Sequence, residues 1–462
     1  MIVLKFGGTS VGTADSLYNV KKIVESLTDD AVIVVSALGG LTDKLIATAR
    51  EAAAGCDTYI DRWEEMALRH YRIIDDTIPD HERAESTKTL ITPFLDELKR
   101  LYQGVALISY LPGPTLDRIV SLGERMSSII VANIINRATH VDSLEIIKTE
   151  KYFDKNIASA NLTDKLISRK FQDINYPVVM GGFISSDKDT GEITNLGRGG
   201  SDFTAALVAA SLNADVLQIW TDVDGFLTTD PRVVKDAKVI SEMSFVESMD
   251  LCTFGAKVIY PPTIYPVFHK NIPIRILNTH NPEAPGTLIC DKPQRPSTHI
   301  AGISALKDQS LILIKGVDEL SYTPFTTRAF NALSRKGLSG RVHTIPGASD
   351  VLAMLIPTSD AASAVKLLND EFAPELSRSE LTDVTVCDGL SALAIVGDNI
   401  RQVIGLNNLM LNLLNNSGIR VEGYSDKGSE TTISYIVSTA DVDRGLNILH
   451  TSLFSSAPIP SL

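Results

Sequence analysis

A handful of charged side chains sit where they could handle phosphate and a small acid. Lys5 follows the apolar run at residues 1–4 and precedes Gly7-Gly8-Thr9-Ser10. Glycines there let the backbone turn sharply, and an ammonium at a strand end can reach an anion held by a helix N-terminus. Arg198 and Asp202 lie in Leu196-Gly-Arg-Gly-Gly-Ser-Asp-Phe-Thr-Ala205, which leads into an alanine-rich helix. An arginine on such a turn suits a carboxylate, which it can grip with two bonds. An acid at a helix start reads first as a cap. The stretch is not a dinucleotide fingerprint, because Asp202 stands in place of the third glycine, and it is not a Walker P-loop, which needs Gly-Lys-Ser/Thr. Lys257, in Thr253-Phe-Gly-Ala-Lys-Val-Ile-Tyr-Pro261, is a second candidate phosphate lysine. Thr221-Asp-Val-Asp-Gly-Phe-Leu-Thr-Thr-Asp-Pro-Arg232 reads either as a long polar turn or as a nucleotide loop. Glu124 interrupts an apolar helical pattern, and on pattern alone it reads as a solvated helix residue more often than as a ligand.

These side chains need a frame. Residues 1–4 and 31–37 read as buried strands. Thr9 or Ser10 is placed to cap a helix from about residue 14 to 27. Ser36, Gly39-Gly40 and Thr42 repeat the strand-turn-helix order, so a ligand could again sit at a strand's C-terminal end. Residues 45–103 read as helical and charged, with Pro79 and Pro93 dividing them into separate helices. Residues 115–138 read as one helix, with Ile119, Leu122, Met126, Ile129 and Ile130 at helical spacing. A strand at 177–184 is interrupted by Gly181-Gly182, and Asp187-Lys-Asp-Thr-Gly191 reads as a hairpin turn without the ladder of a calcium loop. Further strands are expected at 215–220 and 272–277, then a Pro-rich linker at 281–296.

Beyond the linker the pattern repeats. Strand 311–315, helix 325–335, Gly337, strands 340–345 and 351–356, and helix 359–372 form one unit. Strand 393–396, helix 406–416, Gly418, strands 419–424 and 432–437, and helix 440–454 form the next. Gly337 and Gly418 stand 81 residues apart, and the other elements keep that register. Each unit reads βαββα, and one further strand completes a ferredoxin-like fold. Neither carries a catalytic-looking cluster. Both read as binding or pairing modules, and open sheet edges favour association between copies.

The 462 residues allow about three domains. With 43 basic and 56 acidic residues the net charge is −13, which argues against nucleic acid or an anionic membrane as the main partner. No apolar run approaches the roughly 18 residues of a membrane span. Lys5 breaks the N-terminal run too early for a signal peptide. Cys56, Cys252, Cys290 and Cys387 form no Cys-x-x-Cys pair. They read as reduced thiols with neither a disulfide framework nor a zinc site, which gives a cytoplasmic address.

Lys5-Phe-Gly-Gly-Thr-Ser-Val11, Gly197-Arg-Gly-Gly-Ser-Asp202, Thr221-Asp-Val-Asp-Gly225 with Thr229-Asp-Pro-Arg232, and Phe254-Gly-Ala-Lys257 follow one another in a telling order. Together they resemble the aspartate kinase branch of the amino acid kinase family, over nearly the whole chain. The repeats resemble paired ACT domains. The resemblance implies an α/β fold: a three-layer α/β/α sandwich over residues 1–293, then two ferredoxin-like α+β modules at 300–382 and 383–462. It implies transfer of the γ-phosphoryl group of ATP, with Mg²⁺, to the side-chain carboxylate of L-aspartate. The product would be 4-phospho-L-aspartate, at the entry to lysine, threonine and methionine synthesis.

Carried over by position, the resemblance gives Lys5 and Lys257 to the transferring phosphate, with Asp202 orienting them. Gly7, Gly8 and Ser10 line the phosphates. Thr221, Asp222 and Arg232 belong to the nucleotide. Thr42, Glu124, Arg198 and Ser201 belong to aspartate, with Arg198 on its α-carboxylate and Glu124 on its ammonium. No metal ligand is assigned to the protein. A carboxylate nucleophile is already ionised at pH 7, so positioning and charge stabilisation are what the site must supply. The resemblance also implies a homodimer or higher oligomer through the modules, and an amino-acid effector such as lysine or threonine. Leu227 stands where many relatives carry an aromatic residue, and Tyr260 replaces a common histidine. The turns Pro346-Gly-Ala-Ser-Asp350 and Lys427-Gly-Ser-Glu-Thr431 differ from each other and leave the effector open. With the last residue at Leu462, no dehydrogenase is expected. Two other readings are another acyl-phosphate kinase of the family, acting on glutamate, acetylglutamate or carbamate, and a non-catalytic amino-acid sensor.

Overall fold

The computed structural model describes residues 1–152, 155–294, 300–316, 322–345, 350–425 and 430–454. The two module turns singled out above lie largely outside the described residues, at 346–349 and 426–429. The chain forms two compact units. One comprises Met1–Phe226, Ser241–Phe245 and Val258–Pro293; the other comprises Leu227–Ile240, Val246–Lys257 and Gln294–Leu462.

The first unit is built on an eight-stranded sheet. Its strands are β1 (Ile2–Phe6), β2 (Ala31–Val35), β3 (Thr139–Val141), β4 (Val178–Gly181), β5 (Val216–Thr221), β6 (Glu242–Ser244), β7 (Ile274–Asn278) and β8 (Thr287–Cys290). Their order is β6-β8-β7-β5-β1-β2-β4-β3. The run from β7 to β3 is parallel, and β8 turns back antiparallel to β7. The central strands are apolar on both faces because helices cover both.

Strand alternation then decides where each side chain points. Leu4, Phe6, Ile33 and Val35 pack into a core with α1 (Ala14–Glu25), α2 (Leu41–Ala53), α3 (Tyr59–Thr77), α4 (His81–Ile108) and α5 (Gly113–Ile134). Val3 and Lys5 take the opposite face, where α6 (Gly200–Ser211) packs against β1, β2 and β5. The small, fully buried Ala205, Ala206 and Ala209 let α6 lie close to the sheet. This is the three-layer α/β/α sandwich.

Neither Thr9 nor Ser10 caps α1. Residues 9–11 make one 3-10 turn, and the cap is Thr13, whose Oγ1 accepts the Ser16 N–H at 3.2 Å. Pro79 does separate α3 from α4, but Pro93 lies inside a continuous α4. A proline there forfeits one main-chain bond. Burial of Ile91, Leu95, Leu98 and Tyr102 along one face keeps the helix whole.

The second unit carries β9 (Ile300–Lys315), β10 (Arg341–His343), β11 (Val351–Pro357), β12 (Asp383–Gly397), β13 (Gly423–Ser425) and β14 (Thr432–Ser438). They form one sheet in the order β10-β11-β9-β12-β14-β13. Its main helices are α7 (Tyr322–Ser334), α8 (Thr358–Glu371), α9 (Leu406–Asn416) and α10 (Val442–Phe454). The repeat is exact down to the helix ends. Gly337 and Gly418 have φ of 70° and 71°, the left-handed conformation that glycine adopts freely. After them Leu338 N–H bonds back to Leu333 O and Ile419 N–H to Leu414 O.

The extra strand each βαββα unit needs comes from its twin. The second half of β9 pairs with β11 and with the first half of β12; the second half of β12 pairs with β14 and with the first half of β9. Each ferredoxin-like module therefore borrows a strand from the other. The outer strands also meet, since Thr344 and Tyr424 exchange two N–H···O bonds of 3.0 Å. That bridge covers part of the open sheet edge expected to pair copies of the chain.

Two earlier segments fold into this second unit. Thr228 Oγ1 shares a hydrogen with His450 Nε2 at 2.9 Å. Asp250 Oδ2 accepts the Thr432 hydroxyl at 2.6 Å, and Ser304 Oγ donates to Phe254 O at 3.0 Å. Among the described residues, no helix is long and apolar enough to cross a membrane.

Candidate active site

In the first unit, the end of β1, the segments after β2 and β4, the inner face of α5 and the start of α6 line a cavity of about 280 Å³. Lys5, Thr42, Glu124, Ser201 and Asp202 line it, with Ser36, Phe183 and the glycines of the 197–200 turn. Lys5 Nζ lies 2.7 Å from Asp202 Oδ1, and both side chains are nearly buried. The pairing follows from the fold: Lys5 points to the α6 face of the sheet, and Asp202 stands in the first turn of α6. The acid that reads as a cap is thus the counter-ion of the lysine. Gly7 N–H donates to Trp220 O at 3.1 Å, which ties the first glycine turn to β5.

Glu124 overturns its solvated reading. It sits on the inner face of α5 with 3% exposure, and its Oε2 has no hydrogen-bond partner among the described residues. Burial pushes its carboxyl up to about 8, while backbone hydrogen bonds at Ala37 and at Glu124 itself pull the other way. A buried acid with no cation beside it is costly, and such a group on a cavity wall is suited to receiving a cation from a ligand.

Two lining residues carried no assignment in the sequence. Ser36 Oγ donates to Ser201 Oγ at 3.0 Å, joining the β2 turn to α6. Phe183 adopts φ of 66°, its N–H is bound by Thr204 Oγ1 at 3.0 Å, and its ring covers Gly200. The signal for both was present: Ser36 ends a buried strand before two glycines, and Phe183 follows Gly181-Gly182.

Other candidates stand elsewhere. Ser10 is fully buried. Its hydroxyl donates to Trp220 O and accepts from Thr279 Oγ1 at 2.7 Å, so it braces the turn from behind. Gly8 lies where the first glycine turn abuts Ala37 and Gly39. Thr221 and Asp222 close β5 at the same edge of the sheet, with the Thr221 hydroxyl 3.3 Å from Asp222 Oδ1. Arg198 is exposed and lines a separate concavity of about 690 Å³ with Phe203, Tyr260 and His269. Tyr260, the departure from histidine, packs on the turn at Gly199, where an added Cβ would meet it at 2.5 Å.

Lys257 and Arg232 belong to the second unit. Lys257 is exposed, just after Phe254 and Gly255, which are held by β9. Arg232 forks onto Asp230, with Nε at 2.9 Å and Nη2 at 2.7 Å, and this holds the Asp230 carboxyl below the usual carboxylate range. The structure thus brings Lys5, Asp202, Thr42, Glu124 and Ser201 together. It does not place Arg198 or Ser10 in that cavity.

Chemically, one end of the cavity offers an ammonium and the N–H groups of a helix start; the other offers an unpaired carboxyl. That polarity fits a small molecule with an anion at one end and an ammonium at the other.

A model of the amino acid kinase family matches residues 1–278, and a model of an ACT domain matches residues 393–453. The chain is 32% identical to lysine-sensitive aspartokinase 3 of Escherichia coli, over 98% of this chain and 99% of that protein. It is 30% identical to a bifunctional aspartokinase/homoserine dehydrogenase of Haemophilus influenzae, spanning 99% of this chain and 57% of that protein's length. The crystal structure of E. coli aspartokinase III in complex with aspartate and ADP superposes with a TM-score of 0.82 at 28% identity, covering 98% of this chain and all of that one.

Proposed function

The chain belongs to the amino acid kinase family, in its aspartokinase branch, and on that premise we propose that it phosphorylates the side-chain carboxylate of L-aspartate with ATP. The product is 4-phospho-L-aspartate, the first intermediate on the way to lysine, threonine and methionine. The observation that carries this reading is the cavity joining the Lys5–Asp202 pair to the buried, unpaired Glu124. Aspartate fits its polarity: the ammonium goes to Glu124, and the carboxylate to be phosphorylated goes toward Lys5. Thr42 and Ser201 supply hydroxyls to the same ligand.

The remaining assignments follow from position. Gly7 shapes the turn and Gly8 offers its backbone N–H to the triphosphate, and Thr221, Asp222 and Arg232 serve the nucleotide, with Lys257 as the second cation on the transferring phosphate. Arg198 reaches the α-carboxylate once it leaves its outer concavity. ATP brings Mg²⁺ on its own oxygens and waters, so the metal needs no protein cage. Residues 1–293 form the catalytic part, and the modules at 300–382 and 383–462 take an amino-acid effector and pair copies of the chain. The enzyme works in the cytoplasm.

The direct test is ATP turnover on a panel of amino acids, repeated with lysine and with threonine. Turnover with aspartate and none with glutamate is expected. Preference for glutamate, acetylglutamate or carbamate, or no turnover at all, would replace this reading with one of its rivals.

The pocket also makes a sharp steric prediction. A Cβ at Gly182 would lie 2.6 Å from Ser201 Cβ. Gly182→Ala is expected to push Ser201 off the cavity wall and raise the aspartate KM by about tenfold or more, given how steeply misplacement is penalised. Initial rates at saturating ATP check it.

A further inference from the structure

In the helical stretch at 45–103, one side chain reaches both glycine turns. Arg69, on α3, is half-buried, and its Nη2 donates to Gly12 O at 3.0 Å and to Gly39 O at 2.9 Å. Among the described residues it has no carboxylate at ion-pair distance; the guanidinium is spent on two main-chain carbonyls. Those carbonyls belong to different turns. The turn at 7–12 follows Lys5, and the turn at 39–42 leads to Thr42 on the cavity wall. The two turns are in backbone contact. An added Cβ at Gly39 would lie 2.9 Å from Gly8 O, and one at Gly12 would lie 3.3 Å from Gly39 N. Two carbonyl oxygens gathered within 3.0 Å of one nitrogen repel each other, and a charged donor between them offsets that best.

We propose that Arg69 is a positioning residue for phosphoryl transfer, setting the spacing between the turn that holds the donor phosphate and the turn that holds the acceptor. This rests on the phosphotransfer reading above. Transfer requires the attacking oxygen and the phosphorus in line and at a fixed separation, and the protein contributes mainly that alignment. Each turn binds its own substrate without Arg69. What Arg69 adds is their relation to each other.

The consequence is a split in the kinetics. Folded Arg69→Ala enzyme is expected to lose about a hundredfold in kcat, the cost of roughly an ångström of misplacement. Both KM values should stay within about threefold of wild type, because ground-state binding to each turn is retained. Arg69→Lys, whose ammonium can still donate to two carbonyls, should recover most of the rate. Gly39→Ala offers a second route: it wedges the same junction while keeping the arginine side chain in the sequence, and should give the same split. Thermal unfolding is followed for every variant.

A folded Arg69→Ala enzyme with wild-type kcat overturns the proposal, as does a rise in one KM that accounts for the whole loss. If Arg69→Ala shows no unfolding transition, Gly39→Ala decides, and an unchanged kcat there overturns it. Wild-type enzyme inert toward aspartate is a different failure, that of the functional reading.

Discussion

Lys5→Met is expected to lower kcat by two to three orders of magnitude, the usual cost of removing one preorganised cation or donor from a transition state. Aspartate KM should change far less. The reason is where the charge sits. Lys5 is nearly buried at the end of a central strand, on the face that α6 covers, with Asp202 at 2.7 Å to hold it. No water-exposed lysine can take its place without breaking strand alternation. The same change leaves Asp202 as a buried acid without its partner, so the fold should lose about 3 kcal/mol as well. The two effects separate in the double variant. Adding Asp202→Asn to Lys5→Met removes the stranded charge and should restore most of the stability, measured by urea unfolding, while the rate stays low. Recovery of the rate with the stability would assign Lys5 a purely structural part. Lys5→Arg should also fail, because the planar fork is bulkier than the ammonium and cannot occupy the same point.

The residue types at this site were legible before the fold, but their partnerships were not. Lys5 and Asp202 are 197 positions apart. Their pairing needs two facts at once: the alternation of β1, and the packing of α6 on that face of the sheet. Alternation is local and readable; which helix covers which face is not. Glu124 misled for a related reason. An acid among apolar residues at helical spacing ordinarily marks the solvent side, and only the β2 and β4 turns, through Ala37 and Gly181, wall it in.

Arg69 gave no signal at all, since its partners are main-chain carbonyls, which every residue has. In the modules, the polar runs at Lys307-Asp308 and Asp388-Gly389 look like strand ends. They are irregularities inside two long strands, with Asp308 at φ of 57° and Gly389 at 72° where the pairing register shifts. A bulge of this kind bends a strand without ending it. That is how one strand comes to serve two modules, and why the repeat was visible while the exchange of strands was not.

Glu124→Gln is expected to move activity and stability in opposite directions. The fold holds this carboxyl up to about 8, against an ordinary value of 4.5, chiefly through burial. A folded-state value above the unfolded one means that the native protein binds the proton more tightly. Stability therefore falls as pH rises from 4.5 to 8, is unaffected below that window and levels off above it. At pH 7 the cost is of the order of 3 kcal/mol. Glutamine has the same shape and no charge to bury, so the variant should match wild type at pH 4 and exceed it increasingly toward pH 8, in urea or thermal unfolding.

Catalysis should run the other way. Once aspartate brings its ammonium into the cavity, the ionised carboxylate becomes the favoured form. The pair that results is buried, and deleting one partner of such a pair costs about 2–5 kcal/mol. The variant's aspartate KM should rise by about a hundredfold or more at pH 8, with ATP binding unaffected. Wild-type affinity for aspartate should improve about tenfold per unit between pH 6 and 8 and then flatten, as expected when a proton must leave before the ligand enters. Titration calorimetry in buffers of different ionisation enthalpy should register close to one proton released per aspartate bound at pH 6.5. A wild-type affinity flat across that range, or a glutamine variant that binds aspartate normally, would remove Glu124 from the substrate and leave its burial without a purpose.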